Sequence, residues 1–257
     1  MLASGSSGNS ALLATERTRI LIDAGLGIKA LIKRLEAVGE SLDALSAVLV
    51  THEHSDHVGG LVSIARRFLM ARGFPLPVYV SRITAPALDW GENRPALECF
   101  QAGAQFVVGD IEVESFGIPH DAIDPVGFCL YAGDVKIAVA TDLGYITESV
   151  KFHLRRCDLL LLESNHDLEM LKVGPYPWSV KQRVMSRVGH LSNEHMSDFL
   201  LRDFDGTPAR LVLGHLSESN NHPEIVRLVA TQALAKRGLS TPLDIASQTT
   251  PSEVYQL

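Results

Sequence analysis

Apolar residues recur along the chain in two patterns: short continuous runs, which predict buried strands, and spacings of three and four residues, which predict amphipathic helices. Runs at 10–15 and 19–23 flank a polar turn and predict a hairpin. Helical spacing over 28–39 and 61–73 predicts two helices, each ending at a glycine. The run at 47–50 between them is too short for a helix and predicts a buried strand.

The rest of the chain continues this alternation. Strands are predicted at 78–80, 105–108, 111–116, 127–131, 135–140, 158–162 and 210–213, and helices at 149–155 and 223–236. Largely helical sequence extends from 163 to 204, and two short strands are predicted after the last helix. Helices interleaved with strands are typical of an α/β fold with two helix-covered sheets. Since no repeat or linker divides the chain, we expect a single domain over residues 1–257.

The apolar runs are far shorter than the roughly 20 residues that a membrane-spanning helix needs. The amino-terminal sequence has no basic region ahead of an apolar core, so we expect a cytoplasmic protein with no membrane partner. Cys99, Cys129 and Cys157 lack the spacing of metal ligands and are interpreted as buried small apolar residues.

The net charge of −7 is concentrated in one part of the chain. Residues 101–150 hold one Lys and eight Asp or Glu, whereas the other blocks of fifty are close to neutral. An anionic substrate is therefore compatible with the sequence if the site supplies its own positive charge, which bound divalent metals would do.

Four candidate metal ligands, His52, His54, Asp56 and His57, follow directly after the buried strand at 47–50. The alternating His52 and His54 can converge on one metal ion, and Asp56 with His57 on a second. Imidazoles with one carboxylate suit zinc and leave manganese or iron open. The alternative is a solvated polar loop. Glu53 and Ser55 are expected to point away from the metals.

The pattern HxHxDH after an apolar strand resembles the metallo-β-lactamase superfamily. The resemblance implies a four-layer αββα sandwich with two divalent metal ions, and further ligands at later strand ends. His120, Asp142 and His215 occupy those positions in the expected order. Taken singly, each has an ordinary alternative: a surface or hydrogen-bonded histidine, or a turn-forming aspartate. The implied metal ligands are His52, His54, Asp56, His57, His120, Asp142 and His215.

Later segments indicate the branch of the superfamily. Glu163 in ESNHD and His190 in GHLSN resemble ribonuclease Z, in which such a pair acts near the scissile phosphate. The segments ESNHD, GPYP and GHLSN, with the opening ASGSSGNS and the late GHLSESNN, resemble the YycJ (WalJ) branch over essentially the whole chain. This resemblance implies a phosphodiesterase, described for the branch as a 5′ to 3′ exonuclease on duplex DNA. We expect DNA as the substrate in preference to structured RNA, because the chain lacks an inserted cap domain and an obvious long arm.

The expected mechanism uses a hydroxide bridged between two metals, with Asp56 as both ligand and orienting group. His190 is the candidate donor of a proton to the leaving alkoxide, and Glu163 holds its tautomer or raises its pKa. The alternative for His190 is a helix-capping or surface residue. His153 and His222 are interpreted as surface residues.

The sequence also contains candidate residues for contact with the substrate. Ser7 and Asn9 lie in a Gly-rich turn, for which an ordinary hairpin turn is the alternative. Asn165, Ser192 and Asn193 adjoin the catalytic candidates. A basic rim of Lys172, Lys181, Arg183 and Arg187 could hold the DNA backbone, or form a plain solvated helix face.

Two other functions share this ligand set. One is a thiolester or lactone hydrolase similar to glyoxalase II, which has no use for an acid at His190. The other is a metal-stabilised nucleic-acid-binding subunit without catalysis. The sequence leaves open the metal, the choice between exonuclease and endonuclease action, the polarity and the oligomeric state.

Overall fold

Strands and helices are distributed over two units of the chain. The computed structural model describes residues 1–91 and 94–257. Unit 1 comprises Met1–Ser115, Ala122–Val126 and Ser247–Gln256, and unit 2 comprises Phe116–Asp121, Gly127–Ala246 and Leu257. One domain over residues 1–257 stays a prediction.

Unit 1 contains a five-stranded sheet in the order β1-β2-β3-β4-β5. Its strands are β1 (Ala11–Ala14), β2 (Arg19–Ile22), β3 (Ala47–Leu49), β4 (Pro77–Ser81) and β5 (Ala96–Phe100). The hairpin β1–β2 is antiparallel, and β2 to β5 run parallel. The helices are α1 (Ile28–Ala37), α2 (Ser55–Val58) and α3 (Leu61–Arg72), with 3-10 turns at Leu42–Ala44 and Ala85–Ala87. Strands β6 (Gln105–Val108) and β7 (Ile111–Gly117) form a second antiparallel hairpin.

The core of unit 1 lies between its parallel strands and two helices. Leu31 and Leu35 on α1 are four residues apart, so they share one face, as do Ile64 and Phe68 on α3. All four are buried in a cluster with residues of β2 to β4 such as Val48. The apolar residues at helical spacing in the sequence are therefore the ones that pack against the sheet.

Unit 2 contains strands in the order β12-β11-β10-β9-β8. They are β8 (Val126–Ala132), β9 (Val135–Ala140), β10 (Leu159–Glu163), β11 (Arg210–Gly214) and β12 (Leu243–Ile245). The pair β8–β9 is an antiparallel hairpin, and β9 to β12 are parallel. The helices are α4 (Glu148–Leu154), α5 (Leu168–Val173), α6 (Trp178–Val184), α7 (Asn193–Arg202) and α8 (Pro223–Lys236). Apolar residues of α7 and α8 pack in one core with Leu160, Leu162 and Leu211.

The parallel strands decide where polar side chains gather. Neighbouring parallel strands end at the same edge of a sheet, and ligands bind outside their carboxyl ends. In unit 2, β9, β10 and β11 are neighbours, and they end at or just before Asp142, Glu163 and His215. In unit 1, β2 and β3 are neighbours and precede Asp23 and His52 in the same way.

Three predictions differ from the structure. The sequence analysis missed β5, and only one of the two predicted carboxyl-terminal strands, β12, occurs among the described residues. Cys99 is exposed on β5, so its interpretation as buried is wrong, whereas Cys129 and Cys157 are buried as predicted. β5 is an outer strand of its sheet with an exposed face, and it lacks the apolar run that marks a central strand.

Within the described ranges, the helices are too short or too polar to span a bilayer.

Candidate functional site

The histidine-rich segment of unit 1 is folded back on itself after β3. The ring centroids of His52 and His54 are 4.6 Å apart, and those of His52 and His57 are 4.1 Å apart. His52 and His57 are fully buried, which excludes the alternative of a solvated loop for these two residues. Asp56 and His57 lie in the short helix α2, which begins at Ser55. Buried imidazoles in close contact are typical of metal-binding sites.

Asp23 orients His57 and was missed by the sequence analysis. Its Oδ2 lies 2.8 Å from Nδ1 of His57 and accepts a hydrogen bond from Oγ1 of Thr51 at 2.9 Å. Its Oδ1 accepts one from the Thr51 backbone N–H, also at 2.9 Å. When Nδ1 of His57 donates to this carboxylate, Nε2 keeps its lone pair for a metal. The available signal was an acidic residue directly after an apolar strand.

Asn9 contacts the same cluster, and Ser7 does not. Nδ2 of Asn9 lies 3.0 Å from Nε2 of His57 and 3.2 Å from Oδ2 of Asp56. Its backbone N–H donates to the Asp56 carbonyl at 2.7 Å, and its Oδ1 accepts from the Gly5 N–H at 2.8 Å. Ser7 is exposed and donates to Gln248. The Gly-rich turn therefore presents Asn9 to the candidate ligands of unit 1.

Residues between these ligands face elsewhere. Oε1 of Glu53 accepts a hydrogen bond from the Ile123 N–H at 2.9 Å, and Ser55 is exposed. Both observations agree with the expectation that the two side chains point away from a metal.

Unit 2 contains a second cluster, in which Asp142, Glu163, His190 and His215 each offer an atom within 4.8 Å of the others. Nε2 of His215 lies 3.3 Å from Oδ1 of Asp142. Oε1 of Glu163 lies 2.9 Å from Nδ1 of His215 and 2.8 Å from Nδ1 of His190. One carboxylate oxygen thus contacts a candidate ligand and the candidate acid.

Glu163 is an ionised carboxylate enclosed by donors. It is 0% exposed, and its Oε2 accepts from the backbone N–H groups of Leu143 at 2.8 Å and Leu191 at 3.1 Å. Burial alone would raise the pKa of Glu163, but the charges and hydrogen bonds of His190 and His215 outweigh burial and lower it to about 2. Both of its oxygens are therefore occupied, and Oε1 holds the rings of His190 and His215 in place.

His190 is the more accessible member of this cluster, with 23% of its side chain exposed. Burial lowers the pKa of His190, but the Glu163 charge and hydrogen bond outweigh burial and raise the pKa above its ordinary value. The carboxylate of Glu163 therefore stabilises the protonated form of His190. It does not cap α7, because Ser192 does: its Oγ accepts from the His195 N–H at 3.2 Å.

His120 is held by a backbone carbonyl. Its Nδ1 lies 3.1 Å from the Gly189 oxygen, and its ring centroid is 5.1 Å from that of His190. Burial is the main cause that lowers the pKa of His120, so the neutral ring is favoured. Donation from Nδ1 leaves the lone pair on Nε2.

The donor chemistry fits divalent metals. In His57, His120 and His215, Nδ1 faces a carboxylate or carbonyl oxygen, which leaves Nε2 as the ligating nitrogen. Asp56 and Asp142 add carboxylate oxygens, which zinc and manganese both accept as ligands. In unit 1 and in unit 2, the residues present are therefore suited to metal binding.

The backbone at these positions is unusual. The described non-glycine residues with positive φ are Asp23 (60°), Asp142 (61°), Arg156 (53°) and His215 (55°). Residues held in this left-handed region cost of order 1–3 kcal/mol each and concentrate at functional sites. Three of these four belong to the two clusters.

The other predicted substrate contacts lie behind the clusters. Nδ2 of Asn165 donates to the His215 carbonyl at 2.8 Å. The Asn193 side chain is buried in hydrogen bonds with Ser164 and Asn221, and Ser192 is buried as the cap of α7. These three residues support the site from within unit 2, because their polar atoms are used by the protein, so direct substrate contact is not assigned to them.

His166 is, after Asp23, a second buried polar residue that the sequence analysis did not single out. It is 1% exposed, and neither ring nitrogen has a hydrogen-bond partner among the described residues. Burial lowers its pKa to about 4, so the ring is neutral. No signal in the sequence distinguished it from its neighbours in ESNHD. Of the two histidines interpreted as surface residues, His222 is exposed and caps α8, and His153 is half-buried against Phe116.

Comparisons with known proteins agree with these features. A family model described as a beta-lactamase superfamily domain matches residues 18–216. The chain is 38% identical to "Exodeoxyribonuclease YycJ" of Bacillus anthracis, covering 93% of this chain and 89% of the relative. It is 35% identical to "Exodeoxyribonuclease WalJ" of Streptococcus pneumoniae serotype 2, covering 95% and 90%.

A solved structure shares the fold. The metallo-beta-lactamase fold protein YhfI from Bacillus subtilis superimposes with a TM-score of 0.74 at 17% identity, covering 96% of this chain and 95% of that one. Similarity at this level of identity shows the fold alone.

Proposed function

The chain belongs to the β-lactamase superfamily, in the family of the YycJ and WalJ exodeoxyribonucleases, and on this basis we propose that it is a metal-dependent phosphodiesterase that degrades DNA as an exonuclease. It has the metallo-β-lactamase fold, so the predicted fold class is confirmed. We also propose a cytoplasmic location, as expected from the sequence.

The proposal assigns two divalent ions, zinc or manganese, to seven ligands. The ligands are His52, His54, Asp56, His57, His120, Asp142 and His215. This assignment rests on the order of the ligands in the sequence, on family membership and on the orientation of Nδ1 in three of the histidines. Bound there, such ions would neutralise phosphate oxygens and would lower the pKa of water enough for attack near neutral pH.

The protein side chains would supply orientation and a proton. Asp56 would ligate a metal ion and orient the attacking water. Protonated His190 gives the proton on Nε2 to the leaving alkoxide, while its Nδ1–H stays bonded to Glu163. Glu163 is a positioning residue, because it holds both His190 and His215 through Oε1.

The contact of Glu163 with His190 is the single observation that carries this proposal. A phosphodiester expels an alkoxide, which needs a proton, whereas a thiolester expels a stable thiolate that does not. A partly exposed histidine whose pKa is raised by a buried carboxylate suits the first reaction. Such an acid has no task in a thiolester hydrolase, because the thiolate leaves without a proton.

The test is hydrolysis of end-labelled duplex DNA, with and without a 5′-phosphate, by metal-stripped protein resupplied with Mn²⁺ or Zn²⁺. We expect progressive release of nucleotides that is lost in Asp56→Ala. Turnover of S-lactoylglutathione without DNA cleavage would instead support the thiolester hydrolase. DNA binding with metal present and no product would support the non-catalytic subunit.

The role of His190 is tested by changing the leaving group. His190→Ala should slow DNA cleavage by roughly 10²- to 10⁴-fold, the usual effect of removing a general acid. A p-nitrophenyl phosphodiester, whose leaving group needs no proton, should be slowed far less. Metal content should stay at the wild-type value. Equal loss on both substrates would contradict the assignment of His190 as the acid.

A further inference from the structure

An uninterrupted basic segment precedes His190 in unit 2. Residues 172–188, here called the basic segment, contain Lys172, Lys181, Arg183 and Arg187 and no Asp or Glu, although the chain as a whole carries −7. Such a cluster in an acidic chain is the electrostatic footprint expected of a surface that binds a polyanion.

The carboxyl-terminal end of this segment is fixed to the candidate site residues of unit 2. The His190 N–H donates to the Val184 carbonyl at 2.9 Å, and the Asp121 N–H donates to the Val188 carbonyl at 2.8 Å. Gly144, two residues after Asp142, packs so closely that a Cβ there would overlap the Arg187 carbonyl. The segment therefore leads directly to His190, His120 and Asp142.

The four cations have different tasks. Lys181 is buried, and its Nζ donates to the Lys172 carbonyl at 2.7 Å, so it fastens the end of α5 and is not part of a rim. Lys172 pairs with Glu169, and Arg183 pairs with Asp121. Arg187 is exposed, and its guanidinium lies 4.5 Å from the centroid of the Tyr145 ring. The two arginines are therefore the exposed cations nearest to His190 along the chain.

Trp178 stands at the other end of α6. It is 62% exposed, although it is the largest side chain of unit 2, and Val173, five residues earlier, is also exposed. Pro177 precedes it as the cap of α6, so its backbone is restricted. Since α6 runs from Trp178 to Val184, these residues lie about 9 Å apart along the helix axis at a rise of about 1.5 Å per residue. That span corresponds to a few nucleotides of one strand.

We propose that the basic segment binds the DNA strand that enters the site, with Trp178 stacking on a base and Arg183 and Arg187 contacting phosphates. This inference rests on the proposed function. An exposed aromatic ring next to cations is how proteins bind single strands without reading sequence. The cationic composition favours DNA over a protein partner as the occupant of the exposed tryptophan.

The first experiment uses the fluorescence of Trp178 itself. The chain has two tryptophans, so Trp90→Phe leaves Trp178 as the sole emitter. A metal-loaded Trp90→Phe protein is titrated with a single-stranded oligonucleotide and with a duplex carrying a single-stranded end, both linked by phosphorothioates to prevent cleavage. Stacking should quench the emission in a saturable way. No change in emission on binding would overturn the role of Trp178.

The second experiment measures affinity by anisotropy of the same labelled oligonucleotides. Trp178→Ala should raise Kd roughly 5- to 100-fold, the range expected for loss of one base stack, and Trp178→Phe should restore most of the affinity. Phe152→Ala is the matched control, because Phe152 is 68% exposed on α4 of the same unit. Equal Kd values for Trp178→Ala and Phe152→Ala would overturn the proposal.

The arginines are tested by salt dependence. Arg183→Ala and Arg187→Ala should each reduce the slope of log Kd against log salt by about one, as expected for one lost phosphate contact. Arg202→Ala on α7, whose side chain is also exposed, should leave the slope unchanged. Unchanged slopes in both segment variants would contradict the phosphate contacts.

These binding results are independent of the hydrolysis assay. If the wild-type protein cleaves DNA and Trp178→Ala binds it with unchanged affinity, the role of the basic segment in DNA binding is overturned and the proposed function stands. Absence of DNA cleavage by the wild-type protein would overturn the proposed function, whatever the Trp178 signal. If the emission of Trp178 does not respond to oligonucleotides but is quenched by a protein, DNA is not the occupant of this surface and the proposal is overturned.

Discussion

At the scale of single residues, Glu163 joins two chemical tasks. Its Oε1 contacts His190 and His215 at 2.8 and 2.9 Å, and its Oε2 is held by two backbone N–H groups. The charge raises the pKa of His190 above its ordinary value, while the bond to His215 fixes a candidate ligand. Substitutions at His190 and His215 should therefore not be additive, because they share one partner.

The pH dependence of cleavage should report this contact. Glu163→Gln removes the charge that raises the pKa of His190, so the proton should be lost at lower pH. The fall of kcat/KM on the alkaline side of the profile should shift to lower pH, which steady-state kinetics across the pH range will measure. Glu148→Gln, at an exposed position on α4, should keep the wild-type profile. An unshifted alkaline limb in Glu163→Gln would be incompatible with this role.

Asp23 makes a parallel prediction for unit 1. Asp23→Asn keeps the shape of the side chain but removes the carboxylate that accepts from Nδ1 of His57. Metal affinity should fall by roughly 10- to 100-fold, as for other partners of metal-binding histidines. Calorimetric titration of the stripped protein with Zn²⁺ will measure it. Asp89→Asn at an exposed position is the control, and equal affinities in the two variants would disprove the role.

At the scale of elements, strand ends decided what the sequence could predict. Asp142 and His215 were predicted because the superfamily resemblance implies ligands at later strand ends, and both residues follow apolar strands, β9 and β11. The parallel pairing of both strands with β10 explains their proximity. Asp23 and His166 were missed because their importance lies in burial and in contacts with residues distant in the chain. Strand β5 was missed because it alternates poorly and exposes part of its surface.

The turn after β2 gives a prediction at this scale. Gly25 packs against the peptide that follows Asp56, and a Cβ there would overlap the Asp56 carbonyl oxygen. Gly25→Ala should therefore destabilise the protein by about 3 kcal/mol, as overpacking does, and should weaken metal binding. Gly27→Ala, where a Cβ meets nothing within 4 Å, should cost no more than about 1 kcal/mol. Denaturant unfolding of both variants measures the difference, and equal midpoints would refute it.

At the scale of the whole molecule, metal binding should add to the stability of the fold. A ligand present at 100 times its Kd stabilises a protein by about 2.7 kcal/mol, which corresponds to roughly 5–10 °C in Tm for a chain of this size. Chelation by EDTA should lower Tm by that amount, and Mn²⁺ or Zn²⁺ should restore it. Asp56→Ala should respond less to the same metals. A Tm unaffected by chelation would argue against a resident metal.

The left-handed backbone at Asp23, Asp142 and His215 places stability and function in conflict at these three positions. Glycine adopts such a conformation without penalty. Selection for thermal stability alone would therefore favour glycine at these three positions. The selected variants would be more stable but would lack the side chains of the two clusters. Arg156 has the same backbone conformation and no assigned role. Among the described residues with positive φ, it is therefore the position where glycine can be introduced without loss of a functional side chain.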